Sequence, residues 1–347
     1  MAGLAAAAAT LGGAAVLMTG GHPAPAVTSA ILPSVTPSMM GIGATKSPTP
    51  SAGAGAPLTL TQAQAILSRY TMTNNSANAE RSDAILARVE SGSSYAIDAG
   101  LYQKQLADGT HYPAFGPVKA TYYIPRDEPA ASGPRWFVVQ VANAFQSSPA
   151  TVTSDEYLLF TQPAPGDAWQ DTIEPYLLAS ATAPQVAVGS DALATAVSPD
   201  SVAVAVAPGQ LPAATASSLD AAIAGQAAVA VPGNLADRFD QRRWQAKVTG
   251  GTVTDAHTAA AGPDGQEFAL LTADGGALVF YTDAARLTIT PPADSTLHLT
   301  VPGLYTTAQA LPQADISYLE QFAAYDPPAG VGTPRVVADY SGITGKS

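Results

Sequence analysis

The chain has 347 residues, 47% hydrophobic and only 12% charged, and its 27 acidic against 15 basic residues give a formal net charge of −12. Its only Lys/Arg cluster is Arg242-Arg243, so the basic track that a nucleic-acid partner requires is missing. Cysteine is absent, which excludes disulfides, thiolate nucleophiles, cysteine zinc sites and lipidation of an N-terminal cysteine. Low charge with an ordinary apolar content argues for a folded body rather than global disorder.

The apolar run from Ala2 to Met18 is followed by Gly20, Gly21 and the small-residue triplet Ala24-Pro25-Ala26. That order predicts a secretory signal peptide over 1–26, with a membrane anchor as the alternative. No Lys or Arg precedes Lys46, so the usual basic flank is missing. Residues 27–57 are rich in Pro, Ser, Thr, Gly and Ala and contain no aromatic residue. Such a tract cannot bury enough surface to fold, and it reads as a disordered linker.

From residue 58 the pattern becomes that of a folded chain. Thr61 and Gln64 have capping-box spacing ahead of Ile66, Leu67 and Tyr70, which predicts a helix. The apolar rhythm returns at Ile85, Leu86 and Val89 and stops at "ESGSS". Strands are expected at 118–125, at 135–145, and as a pair within 155–178 joined at Pro165-Gly166-Asp167. Further on, 217–230 and 234–248 read as helical. Strands are expected at 250–258 and across 267–290 with a hairpin at Asp274-Gly275-Gly276, and the final ones lie in "ISYLEQFAAYDPPAG" and "PRVVADYSGI". Helix followed by antiparallel strands thus occurs twice. The expectation is an α+β fold of two helix-plus-antiparallel-sheet modules in tandem, 58–182 and 217–347, separated by an Ala/Val/Pro-rich connection over 183–216.

The run "LTLTQAQAILSRYTMTNNSANAERSDAILARVESG", with "PQVAVGSDALATAVSPD" and "FALLTADGGALVFYTD", resembles a DUF8094-like family of actinobacterial secreted and lipoprotein-type proteins of unknown function. The matching positions are Leu60, Gln64, Ala65, Tyr70, Asn74, Asn75, Ala77, Asn78 and Ala79. The resemblance implies an extracytoplasmic envelope protein and brings no catalytic residues with it. Many members look like lipoproteins. This chain lacks the cysteine, so its attachment must be different or absent. The element order also resembles cystatin-like and NTF2-like cone folds, an analogy of fold that decides no chemistry.

Chemistry-bearing motifs are sparse. His22, His111, His257 and His298 have no helical metal-ligand spacing, no Gly-x-Ser-x-Gly elbow occurs, and the Gly-rich stretches lack the layout of a phosphate loop. No catalytic residue, metal site or cofactor is expected; a triad of sequence-distant members is the one catalytic arrangement that leaves no linear motif. One stretch stands apart. At helical spacing Leu67, Tyr70, Asn74, Asn78, Arg81, Ile85 and Val89 share a stripe that is apolar at its ends and polar in its middle. The helix either breaks there, with Asn78 capping a second helix, or runs straight and meets those groups with partners or with a ligand. In the ligand-lining case the candidate residues are Tyr70, Asn74, Asn78 and Arg81, with Tyr122 from a neighbouring strand. The expected function is an exported, non-catalytic envelope protein that binds a partner protein or a small ligand and associates with the membrane through its N-terminal segment. A secreted hydrolase or isomerase with a cone-shaped cavity, or an assembly subunit of an envelope complex, are the alternatives.

Overall fold

The computed structural model describes residues 9–10, 58–126, 133–221, 229–231, 251–300, 304 and 310–346. The expected leader and linker fall outside the described residues except for Ala9 and Thr10, and the helix expected at 234–248 falls outside them entirely.

Helix α1 (Leu60–Glu80) opens on a capping box, but two residues earlier than the spacing predicts: Thr59 caps the Gln62 N–H, and Gln62 Oε1 accepts from the Thr59 N–H at 2.9 Å. The choice between the two Thr-x-x-Gln frames is made by the flanking apolar residues. With Thr59 as cap, Leu58 and Ala63 bracket the first turn and both are buried in one cluster, a hydrophobic staple; the other frame would place Leu60 there, which is 52% exposed. Helix α1 does not break at 73–80. It ends at Arg81, whose left-handed φ of 49° lets its N–H reach the Ala77 carbonyl. A single turn, α2 (Asp83–Leu86), leads to α3 (Gly92–Asp108). This third helix lies where "ESGSS" was expected to end the helical region. Its inward residues Ile97, Asp98, Tyr102 and Gln105 have helical spacing, but two of them are polar and mask the periodicity.

The strands follow as β2 (Phe115–Tyr123), β3 (Arg135–Phe145), β4 (Val152–Gln162), β5 (Gln170–Ile173) and β6 (Tyr176–Leu177). After α4 (Leu211–Ala221) come β7 (Thr252–Ala259), β8 (Phe268–Leu271), β9 (Ala277–Thr290), β12 (Ala314–Asp326) and β13 (Arg335–Lys346). The short segments β1 (Ala9–Thr10), β10 (Leu297–Thr300) and β11 (Ala310–Leu311) form a small separate sheet. The turn at 164–167 and the hairpin at Asp274-Gly275-Gly276 are where the sequence placed them.

The fold is mixed α+β with sheet predominating. Helix-then-strands recurs in both halves, but the strands of the two halves join one ten-stranded antiparallel sheet, in the order β2-β3-β4-β6-β13-β12-β9-β7, with β5 on β4 and β8 on β9. The two-residue β6 is the seam, pairing β4 on one side and β13 on the other. Tyr157 on β4 and Phe280 on β9 are four strand positions apart, about 19 Å in a flat sheet at the usual spacing. Their rings are 5.3 Å apart, and Trp136 on β3 meets Phe268 on β8 at 5.2 Å. The sheet therefore curls, and Val138, Tyr157 and Leu159 share one core with Leu278, Phe280 and Ala323.

On the other face of β3 and β4, Leu67 and Tyr70 of α1 pack on Phe137 and Phe160. Helix α3 seats on β13 through two glycines. A Cβ at Gly100 would lie 1.9 Å from the Ile343 carbonyl oxygen, and one at Gly342 would lie 2.5 Å from Ile97 Cγ2. Backbone cannot yield as a flexible side chain does, so Gly100→Ala is expected to cost about 3 kcal/mol or more, read as a lowered urea midpoint. Among the described residues no helix is long and apolar enough to cross a membrane.

Candidate functional site

The polar middle of α1 is buried, and it is answered by partners from distant parts of the chain. Asn78 Nδ2 donates to Asn74 Oδ1 one turn earlier at 2.6 Å. Asn74 Nδ2 in turn donates to Glu90 Oε1 at 2.5 Å, Tyr102 of α3 donates to Asn78 Oδ1 at 2.8 Å, and the Tyr70 hydroxyl donates to Glu174 Oε2 at 3.0 Å. Asparagine weakens helices when its side chain competes for the backbone. Here each amide is held by a tertiary or i,i+4 partner, so the helix runs on. Asn74, the acceptor of an Asn-x-Ser glycosylation motif, is only 3% exposed and is closed to modification in the folded protein.

Tyr70, Asn74 and Asn78 form one wall of a small cleft with about 30 Å³ of free space, partly continuous with solvent. Tyr70, Asn74 and Asn78 of α1 face Asp98 and Leu101 of α3. Asn143 of β3, Glu156 of β4, and Glu174 and Tyr176 around β6 make the opposite side. Tyr340, brought in by β13, closes the site and donates to Asp98 Oδ1 at 2.7 Å. Asn143 donates to Glu156. Behind the wall Asp171 and Glu90 are also buried, and Glu90 Oε2 and both oxygens of Asp171 accept no well-formed hydrogen bond, although Ser94 is close enough to oppose in part the rise of the Asp171 carboxyl.

Among the described residues, no Lys, Arg or His lines the cavity. Burial, the largest cause, pushes the Asp98 carboxyl up to about 6 and that of Glu156 up to about 8, against hydrogen bonds from Tyr340 and from Tyr176 and Asn143 that oppose the rise. Burial and then the neighbouring carboxylates raise Glu174 and Glu90 well above the usual range, and burial raises Asp171. The same causes hold the hydroxyls of Tyr70, Tyr176 and Tyr340 well above the ordinary tyrosine value. The site is thus a set of carboxyl groups that resist ionisation because they are buried together, with no basic side chain among the described lining residues. Among the described residues no three His, Asp or Glu side chains are placed to hold a metal ion.

Of the residues expected to line a site, Tyr70, Asn74 and Asn78 do so. Arg81 does not: as the left-handed residue that ends α1 it leaves the helical stripe, and its guanidinium donates to the Thr110 carbonyl at 2.8 Å. Tyr122 packs against the apolar cluster under α1 and is not part of the cavity wall. The carboxyls Asp98, Glu156 and Glu174 and the tyrosines Tyr176 and Tyr340 were not anticipated. One signal for Glu156 was in the sequence: in "DEYLLF" a charged residue directly adjoins the apolar run Tyr157–Phe160, and it is the first buried residue of the strand. A second convergence also escaped motif reading. His257 of β7, almost wholly buried, has Nδ1 2.7 Å from Asp220 Oδ1 of α4 and Nε2 3.5 Å from Glu320 Oε2 of β12.

Comparison with curated proteins and with solved structures returns no match. The sequence pattern of one family covers residues 55–347, which is the whole folded body with both helix-and-strand halves and every residue of the cavity. The chain therefore belongs to the family described as Domain of unknown function (DUF8094).

Proposed function

We propose that this chain is an exported cell-envelope protein whose folded body binds a small polar ligand in the carboxylate-lined cavity and releases it unchanged. The observation that carries the reading is the convergence of hydrogen-bonding side chains from α1, α3, β3, β4, the β5–β6 segment and β13 on one cavity. Export is supported by the signal-like start, the Pro/Ser/Thr-rich linker and the acidic, low-charge body. Against turnover stands the state of the hydroxyls. Tyr70 and Tyr340 are held in their protonated forms, and among the described residues no histidine lines the cavity to activate one.

A hydrolase or isomerase is the second reading, favoured by one observation. Asp98 and Glu156 line the same cavity with proton affinities set apart, at about 6 and about 8, as a proton-transfer pair requires. The readings separate on a cavity-filling variant. Leu101 lies on the cavity wall, and Leu101→Trp is expected to abolish binding of whatever small molecule co-purifies with the protein in native mass spectrometry, with little change in melting temperature. Recovery of that molecule unaltered after incubation supports binding; its conversion by the wild type but not by the variant replaces binding with catalysis. A tagged full-length chain is expected in the envelope or medium, and a cytosolic location would sink the export reading. Co-purification of a membrane protein with no cavity-dependent small molecule would favour an assembly subunit instead.

A further inference from the structure

We infer that Ser94 and Gln321 are the two halves of an intramolecular ester, a covalent tie between α3 and β12 that forms after folding with loss of ammonia. The tie is separate from the ligand reading of the cavity. What carries it is the meeting of α3, β5, β9 and β12 around one buried amide.

Gln321 lies in the middle of β12 and is 0% exposed, and Ser93 and Ser94 in the first turn of α3 are buried against it. Gln321 Oε1 accepts from the Glu174 backbone N–H at 2.9 Å, which fixes which end of the amide is the oxygen. Nε2 then faces three oxygens: Ser93 Oγ at 2.8 Å, Ser94 Oγ at 3.1 Å and the Thr172 carbonyl at 3.2 Å. Two hydrogens cannot point squarely at three oxygens, so at least one oxygen approaches the amide off its N–H axes.

Donor counting separates the two serines. Ser93 Oγ donates to the Thr172 carbonyl at 3.0 Å, meets Thr282 Oγ1 at 3.0 Å and accepts from Nε2, so its proton and both lone pairs are committed. Ser94 Oγ is the more distant of the two. Among the described residues it accepts only from Nε2, and it lies beside the Asp171 carboxyl, whose oxygens have no well-formed hydrogen bond. One amide bond length beyond Nε2, Gln321 Cδ is within about 4.5 Å of Ser94 Oγ.

These are the parts that acyl transfer needs. Ser94 Oγ attacks Gln321 Cδ, and the Glu174 N–H stabilises the negative charge that gathers on Oε1. Asp171, which burial holds toward its protonated form, takes the Oγ proton on one oxygen and gives its own to Nε2 from the other. The Oγ–Cδ bond forms, the Cδ–Nε2 bond breaks, and one ammonia leaves, so the step balances without a further reactant. Ammonia is protonated and diluted once in water, which draws the exchange forward. With Ser94 and Gln321 both at 0% exposure, water is kept from the ester. The tie joins residues 227 apart in a chain that has no cysteine to make a disulfide.

The test is mass spectrometry of the purified full-length protein, denatured and digested with trypsin. Cleavage after Arg88, Lys104, Arg286 and Arg335 puts the two residues on separate peptides, 89–104 and 287–335. The expected result is one linked species at the sum of the two masses less about 17 Da, split by hydroxylamine as an ester is, with fragmentation placing the bond on Ser94. Ser94→Ala should abolish that species, and Asp171→Asn should lower its yield at least about tenfold in protein harvested at the same age. Should either variant fail to fold, the wild-type digest still decides. Two unlinked peptides at their full masses overturn the inference and leave a hydrogen-bonded network only, and a link on Ser93 overturns it as well.

Discussion

Between pH 5 and pH 8 the ligand-free protein is expected to lose several kcal/mol of folding stability, with Glu156→Gln removing a large part of the loss. Glu156 has an unfolded value near 4.5 and a folded value of about 8, because burial penalises its charge. Below 4.5 both states hold the proton and the full contribution is present. Between 4.5 and about 8 the unfolded chain releases a proton that the native protein keeps, so stability falls as pH rises. The span corresponds to on the order of 5 kcal/mol for this group, and Asp98, shifted from 3.8 to about 6, adds a smaller loss of the same sign that is complete at lower pH. Asp274 works in the opposite direction. Hydrogen bonds from Thr272 and Tyr325 lower it, so its contribution is lost only on acidification below the ordinary Asp range. Urea unfolding at pH 5, 6.5 and 8 reads the slope directly. Glu156→Gln keeps an acceptor for Asn143 without a titrating proton, and it should be more stable than the wild type at pH 8 and close to it at pH 5. A wild-type stability that stays flat or rises from pH 5 to 8 would show that the carboxyls already carry their charge in the native state, and the account of the cavity would fall.

Asn74→Leu should cost about 3–5 kcal/mol, far more than a change of similar size on the surface. Asn74 is 3% exposed and is the hub of the α1 network. Its loss leaves the Asn78 amide and Glu90 Oε1 without their partners inside the protein, at about 1–3 kcal/mol for each stranded group. Adding Glu90→Leu removes one stranded group together with its burial cost, so the double variant is expected to regain part of the stability. That non-additivity, measured as a double-mutant cycle in urea, is the mark of a bonded pair. If Asn74→Leu melts like the wild type, the polar stripe carries no energy and α1 is held by its apolar ends alone.

Local rules were enough for much of the framework. The β-branched and aromatic run at 135–145 became β3, with the bounds read from composition, because such residues pack well on a pleated sheet. Asp274-Gly275-Gly276 became a hairpin because Gly275 takes the positive φ of 88° that the turn demands. Helix α1 was visible from its rhythm, and Tyr70, Asn74 and Asn78 were singled out because polar groups on a packed stripe need partners. The family resemblance read from the same stretch is matched by the family assignment over 55–347.

What sequence alone left open was decided by contacts between residues far apart in the chain. Whether "TNNSANAER" breaks or continues has no local answer, since asparagine caps a helix as readily as it bridges two turns. Glu90, Tyr102 and Glu174 settle it by holding the side chains away from the backbone. Helix α3 was missed because Asp98 and Gln105 sit on its buried face, and that burial makes sense only once Tyr340 and the cavity are present. The site itself is non-local. Asp98 and Tyr340 are 242 residues apart and meet because the two-residue β6 splices β13 beside β4 in one curled sheet. Length, charge and periodicity determine which segments become helices and strands. The pairing of strands across the two halves determines that their acidic residues are buried together, and with it their resistance to ionisation.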